Sequence, residues 1–420
     1  MNRKTVIIIG AGASGLMAAK ELANEYNVIV LEAASRSGGR IYSMSSPLFP
    51  NVIEAGAEFI HGHQKETIKL LKEANIDYLP VEGKMYRKER GEWKEQTEMT
   101  AGWDELLKKM KNVKKDTSLD SFLHEYFGDD KYADLRRIAT NYAEGYDLAD
   151  TSQASAKSLY QEWANEEWES FRIPSGYGAI IDYLKNESEK AGCRILFDHT
   201  VTQVDWKKND VTVYTKNKQT FSANKLIVTV PLSVLQTAEN NRSINFTPPL
   251  DEYIAAANKI GIGSVIKVIL YFNQRLWKED MGFLFSDEIF PTWWTQLPEE
   301  QPLLTGWCGG PKAAMLSSQT DEEILEKAIL SLATILSIPA DELKKNLRQA
   351  SVFNWQSKQL NLHGYSYDTL ESTAARQLLN TPVAGTIFFA GEALYEGKSP
   401  GTVEAALVSG KNVAAKLFAS

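Results

Sequence analysis

The stretch VIIIGAGASG, residues 6–15, decides the fold of this chain. Val6, Ile7, Ile8 and Ile9 form an unbroken β-branched run, the pattern of a parallel strand buried on both faces. Gly10, Gly12 and Gly15 follow at the spacing that lets a backbone turn tightly and approach a pyrophosphate at a helix N-terminus, with Ala13 and Ser14 as further cofactor-binding candidates between them. A helical pattern then leads to a second apolar run, Val28-Ile29-Val30-Leu31, which ends on Glu32, an acid able to accept both hydroxyls of an adenosine ribose. The glycine spacing alone is a weak signal, since a glycine-rich turn in any α/β domain produces it. Strand, glycines, helix, strand and terminal acid in register make this a dinucleotide-binding βαβ unit.

Directly after the acid come Ser35-Arg36-Ser37-Gly38-Gly39-Arg40, where a nicotinamide enzyme would usually pass to its next helix. The two glycines clear room beside a cofactor, and Arg40 can set a bidentate, permanently charged fork on a phosphate oxygen. Here the chain resembles the flavin-containing amine oxidase family, which includes monoamine oxidases, polyamine oxidases and flavin-dependent histone demethylases. Matching stretches recur in the family's order at residues 56–62, 174–184, 201–235, 265–277, 355–367 and 388–410, spanning nearly the whole chain. The resemblance implies an α/β fold: a Rossmann-like FAD-binding domain interleaved with an α+β substrate-binding domain of mixed sheet and helices. The expected division gives residues 1–80, 190–255 and 380–420 to a discontinuous FAD-binding domain, and 81–189 and 256–379 to the substrate-binding domain.

Composition fits an enzyme with a large core: 420 residues, 43% of them hydrophobic, suggest about two domains. A net charge of -8 argues against nucleic acid or an anionic membrane as the main partner and leaves cationic substrates open. With only Cys193 and Cys308, a disulfide framework is not expected and a reducing compartment is the simpler assumption. A signal peptide is not expected ahead of the first strand, nor a C-terminal anchor, since no apolar run there reaches the ~20 residues needed to span a bilayer. The chain thus departs from the tailed mitochondrial monoamine oxidases, and a cytoplasmic location without membrane attachment is expected.

Residues 85–131, rich in lysine and glutamate, carry helix-like patterning, with Trp103, Leu106, Leu107 and Met110 sharing one face. Strands are predicted at 195–204, 211–214, 226–230 and 387–390, an alternating strand at 265–272, an amphipathic helix at 321–336 and a closing helix from Val403. Oligomeric state is not legible.

Gly56-Ala57-Glu58-Phe59-Ile60-His61-Gly62 resembles the family segment under the isoalloxazine ring, in a form closest to polyamine oxidases. His61 would sit near the flavin and bond or steer an amine, although a lone histidine is often structural. Glu58 would attract a cationic amine, or else be a solvated or backbone-capping carboxylate. Lys267, inside an apolar strand, needs a partner or water to offset its burial; in the family this lysine holds a water against flavin N5, assisting reoxidation by oxygen and imine hydrolysis. An edge strand facing solvent is the alternative.

Trp355 and Tyr365 match the paired aromatics of the family, in which the tyrosine is one wall of a cage that holds the amine. The closing motif supplies Gly391 and Glu392, the latter facing the ribityl or phosphate region through backbone or carboxylate, and Thr402 and Val403, opening a helix whose amides face flavin O2. Val201 matches a position whose backbone binds adenine. Thr402 stands where monoamine oxidases have a second cage tyrosine, so the cage is half open, as in polyamine oxidases and histone demethylases. Gly364 stands where they carry the flavin-linking cysteine, so FAD should be noncovalent. Ala405 replaces a usual glycine. Trp293, Trp294, Trp307, Gly309 and Gly310 are candidates for either pocket wall or core.

The implied chemistry is hydride transfer from a neutral amine's α-carbon to flavin N5, hydrolysis of the imine, and reoxidation by O2 to hydrogen peroxide. Five histidines and two cysteines, none at metal-ligand spacing, give no metal site. The amine is left open between polyamines and aromatic monoamines. An L-amino-acid oxidase, with Arg136, Arg137 or Arg172 holding the carboxylate, and an FAD-dependent desaturase are the alternatives. A noncatalytic flavin-binding protein and a nicotinamide dehydrogenase fit the motifs less well.

Overall fold

Strand Thr5–Ile9 lies at the centre of a five-stranded parallel sheet, ordered Arg194–Leu196, Asn27–Leu31, Thr5–Ile9, Lys225–Val228, Ile387–Phe389. The computed structural model describes residues 3–89, 91–167, 169–236, 243–357 and 363–419, so residues 358–362 of the 355–367 stretch lie outside the described residues. Val6 and Ile8 enter one apolar core with Leu16, Met17, Ile180, Leu184, Leu407 and Val413. Ile7 and Ile9 enter a second core with Val204, Val213, Leu226, Val228 and Phe389. This burial on both faces is why the run carries no polar alternation. Helix Ala13–Leu22 packs on the closing helix Val403–Phe418 and on Gly178–Lys190, so the segment after Pro174 returns to the dinucleotide side of the molecule.

The stretch expected as one strand at 195–204 is two. Asp198 turns with φ 59°, ending Arg194–Leu196, and Val201–Lys207 leaves for a four-stranded sheet with Asp210–Thr215, Thr220–Ala223 and Asn245–Thr247.

The other half of the molecule is built on a seven-stranded sheet, ordered Leu347–Asn354, Val265–Phe272, Leu303–Gly309, Thr292–Trp294, Met281–Phe285, Lys84–Glu89, Glu92–Glu95. All neighbours are antiparallel except Met281–Phe285 with Lys84–Glu89. Val265–Phe272 is an interior strand and does not alternate. Ile266, Val268 and Leu270 pack under helix Asp321–Leu336 through Ile324, Ala328 and Leu332, while Val265 and Ile269 meet other cores on the opposite face. Thr320 caps that helix in a reciprocal box: its hydroxyl accepts from Glu323 N at 3.3 Å, and the Glu323 carboxylate accepts from Thr320 N at 2.9 Å.

The helical reading of 85–131 fails at its start. Lys84–Glu89 and Glu92–Glu95 form a hairpin at the sheet edge, where charged side chains suit an exposed strand. Helices Trp103–Lys111 and Leu119–Phe127 follow, with Leu106 and Met110 buried.

Candidate active site and cofactor cavity

A cavity of about 900 Å³ runs from the C-terminal ends of the parallel strands to the seven-stranded sheet. At its dinucleotide end lie Gly10, Gly12, Ala13, Ser14, Glu32 and Val201; along its middle Arg40, Gly56, Ala57, Glu58, Phe59, Gly391, Glu392, Thr402 and Val403; and beyond them Lys267, Tyr365 and His61. Gly15 is not in the wall. A Cβ there would stand 2.0 Å from Gly10 O, so its place is to let the helix pack on the turn.

Glu32 is fixed before any ligand binds: Oε2 accepts from Ala11 N at 2.7 Å and Oε1 from Ala34 N at 2.8 Å. Burial holds its carboxyl above the usual carboxylate range, against the pull of those amides and of Arg36. The cradle fits a dinucleotide. A Cβ on Gly12 would point into open space, its closest neighbour being Gly38 O at 4.0 Å, and the buried Ser14 hydroxyl has no partner among the described residues.

Arg40 is partly committed within the protein. Its Nη1 donates to Gly364 O at 2.6 Å and to Glu392 Oε1 at 3.0 Å. Glu392 also accepts from Ser366 N at 3.2 Å and Ser366 Oγ at 2.8 Å. Of the two modes expected for Glu392, the carboxylate is thus occupied, which leaves its backbone for a cofactor. Thr402 caps Val403–Phe418 by accepting from Ala405 N at 3.1 Å, and the first amides of this helix border the cavity.

Both readings of Glu58 need correction. The carboxylate is neither solvated nor free to attract an amine: Oε2 accepts from Lys267 Nζ at 2.6 Å, and Oε1 from Trp294 Nε1 at 2.9 Å and Arg172 Nη2 at 3.1 Å. Burial would raise its pKa, but the two cations outweigh that and hold it below the usual range. Lys267 is 1% exposed on its interior strand, so the solvent-facing alternative fails. Its Nζ also donates to Gly56 O at 3.2 Å.

His61 lies with Nδ1 3.2 Å from Ser170 Oγ and its ring edge-on to Tyr146 at 5.6 Å. Burial pushes its pKa down to about 4, so the ring is neutral near pH 7. The Tyr365 hydroxyl donates to Tyr146 O, and its ring packs against Gly401. Trp355 donates from Nε1 to Ala55 O at 2.9 Å, bracing the glycine turn. Trp294 and Trp307 line the cavity, whereas Trp293 is fully buried core, bonded to Phe290 O, and Gly309 and Gly310 pack against residues 144–145. Arg136, Arg137 and Arg172 are absent from the cavity wall; Arg136 bonds Phe127 O and Asp129 O, and Arg137 bonds Asp287.

Five acids in the cavity wall escaped the sequence reading: the exposed Glu82 and Glu167 and the less exposed Asp147, Glu162 and Glu166. Asp147 accepts from Trp163 Nε1 at 2.8 Å, and Glu166 from the Tyr142 hydroxyl at 2.5 Å; Tyr142 stacks on Tyr146 with centroids 5.1 Å apart. Burial, then mutual repulsion, holds the carboxyls of Asp147 and Glu162 well above the usual range, and burial raises Glu166. Their signal in sequence was acids set among aromatics, in Tyr142 to Asp147 and Glu162 to Glu166.

Residues 13–417 match the family described as flavin containing amine oxidoreductase. The chain belongs to that family. The oxidoreductase is 27% identical to Polyamine oxidase 2 of Arabidopsis thaliana, over 97% of this chain and 86% of the relative, and 27% identical to Lysine-specific histone demethylase 1B of Mus musculus, over 100% of this chain and 53% of the relative. It therefore spans about half the length of that demethylase. Its fold is similar to wild-type putrescine oxidase bound to putrescine, with a TM-score of 0.83 at 21% identity covering 100% and 99% of the two chains. Cyclohexylamine oxidase from Brevibacterium oxydans matches with a TM-score of 0.80 at 19% identity, over 99% and 98%. The cofactor of the oxidoreductase is FAD, and neither cysteine lines the cavity, which accords with noncovalent binding. Among the described residues no helix is long and apolar enough to cross a membrane.

Proposed function

We propose that this oxidoreductase is an FAD-dependent oxidase of diamines or polyamines. The observation that carries the substrate class is the trio Asp147, Glu162 and Glu166 in the cavity wall beyond Tyr365. Carboxyl groups held above their usual range by burial and mutual repulsion gain from a cation among them, and a substrate with a second ammonium group supplies one. The amine to be oxidised then lies in the aromatic part of the cavity, between Tyr365, Trp294 and Trp307. Those rings disfavour the ammonium form and so favour the nitrogen lone pair that drives loss of hydride.

Bound FAD would supply the two-electron acceptor and pass the electrons to O2, giving hydrogen peroxide. Gly10, Gly12, Ser14, Glu32 and Val201 would hold its adenosine and pyrophosphate end, and Arg40, the Gly391–Glu392 backbone and the Val403 helix N-terminus the remainder. Lys267 Nζ would orient the water that hydrolyses the imine, and His61, neutral near pH 7, would steer the amine without repelling its charge. The two cores of the parallel sheet support an interleaved two-domain organisation, with the boundary expected at residue 189 moved back to about 177, because helix Gly178–Lys190 packs on Ala13–Leu22. Two unpaired, buried cysteines support a reducing, cytoplasmic setting.

The test is anaerobic mixing of the purified protein with putrescine, spermidine, benzylamine and L-amino acids. Bleaching of the flavin band by the first two, weakened in Asp147→Asn and Glu162→Gln mainly through KM, supports the proposal. Bleaching by benzylamine alone would overturn the substrate class.

A further inference from the structure

Behind the active site lies a second, small cavity of about 50 Å³. Its wall includes Glu54, Glu58, Arg172, Gln301 and Thr305, and its rim the exposed residues Asn51, Leu79, Pro298 and Glu299. Among the described residues, Glu58 is the one that lines both this cavity and the main one. The volume accommodates one or a few water molecules, and the wall is polar enough to hold them. Arg172 Nε, buried and without a partner among the described residues, is a donor that such a water would satisfy.

Lys267 has a problem that this arrangement solves. A lysine that serves turnover must exchange protons with solvent, yet this one is 1% exposed and ends against Glu58 and Gly56 O. Its other side faces a cavity that cofactor and amine must share, walled by Trp294, Trp307 and Phe59. Glu58 spans the barrier. Oε2 takes the 2.6 Å bond from Lys267, while Oε1 is anchored by Arg172 and Trp294, which leaves part of the acceptor capacity of the carboxylate unused.

We propose that Glu58 is the positioning and proton-exchange residue of Lys267, and that the second cavity is its route to solvent. The proposal rests on the reading of the main cavity as an amine-oxidase site. In the outward step the Lys267 Nζ–H bond breaks, its electron pair stays on nitrogen, and an O–H bond forms on Glu58 Oε2. That O–H bond then breaks as the proton passes to cavity water and out past Asn51 and Glu299, restoring the carboxylate. One proton leaves, no electron moves, and the reverse sequence recharges the lysine. The charged and titratable groups facing Glu58 are Lys267, Arg172 and Glu54, and the bonds from Arg172 and Trp294 keep Oε1 anchored.

The test uses the holoenzyme labelled with ¹⁵N at lysine Nζ, with exchange of the Lys267 ammonium protons with water read by NMR and the signal assigned with Lys267→Met. Glu58→Gln should slow exchange at least about tenfold, the equivalent of one pK unit in proton affinity, and Glu58→Asp should recover most of the rate. Gln301→Trp, which fills the second cavity and leaves Glu58 and Lys267 in place, should slow exchange comparably and remains informative if Glu58→Gln does not fold. Unchanged exchange in Glu58→Gln would overturn the role of Glu58; slow exchange there with a wild-type rate in Gln301→Trp would overturn the route. Wild-type flavin that no amine bleaches would instead count against the amine-oxidase reading, since the exchange measurement needs no turnover.

Discussion

Arg40 and Glu392, 352 positions apart, meet at 3.0 Å, and the same arginine nitrogen bonds Gly364 O at 2.6 Å. This contact ties the segment after the first βαβ unit to the closing motif and to the backbone beside Tyr365. Arg40→Ala would leave the nearly buried Glu392 with only its Ser366 partners, at a cost of about 3 kcal/mol. The expected outcome is a lower thermal midpoint and loss of bound flavin on gel filtration. An unchanged midpoint with full flavin content would refute the assignment.

Thr402 satisfies an amide at the start of the sixteen-residue helix Val403–Phe418. Thr402→Ala should cost about 1 kcal/mol in denaturant unfolding of the apoprotein, and Thr402→Ser much less. Equal losses in the two variants would show that the cap is not the source.

Lys267→Met conserves volume and leaves Glu58 bonded to Arg172 and Trp294. Stopped-flow measurement should find anaerobic reduction by amine near the wild-type rate and reoxidation by O2 slowed at least about tenfold, which is about 1.4 kcal/mol of barrier. A variant slowed only in reduction would place the lysine in the wrong half-reaction.

Two half-buried groups give stability opposite pH dependences. His61 has its pKa lowered from 6.5 to about 4 by burial, so its contribution is complete above pH 6.5 and is lost as pH falls through 4, where the unfolded chain binds the proton first. Glu54 is raised from 4.5 to about 7 by burial, so its contribution is complete below pH 4.5 and is lost as pH rises through 7. Thermal midpoints between pH 4 and 8 should show His61→Gln losing less stability than wild type on acidification, and Glu54→Gln losing less on going from pH 4.5 to 7. Curves parallel to wild type would contradict both shifts.

The dinucleotide half was legible because its signals are local. Val6 to Gly15 carry burial, turn and helix start within ten residues, and Glu32 ends the next strand. Burial of Lys267 could also be inferred, since its strand neighbours are all apolar. What sequence could not supply was the partner: Glu58 lies 209 positions away, and Arg172 and Trp294 reach it from two further segments. The edge hairpin at Lys84–Glu95 was misread because lysines and glutamates suit an exposed helix and an exposed strand alike. Asp147, Glu162 and Glu166 stayed hidden because their burial is set by tertiary packing around Tyr142, Trp163 and Tyr365.

In the proposed reaction, bound flavin accepts electrons from an amine carrying a second positive charge. Its most direct test is the visible spectrum of the purified protein mixed anaerobically with putrescine. A noncovalent flavin band should bleach rapidly and return on admission of air with release of hydrogen peroxide; a flavin band that neither putrescine nor spermidine bleaches would rule this reaction out.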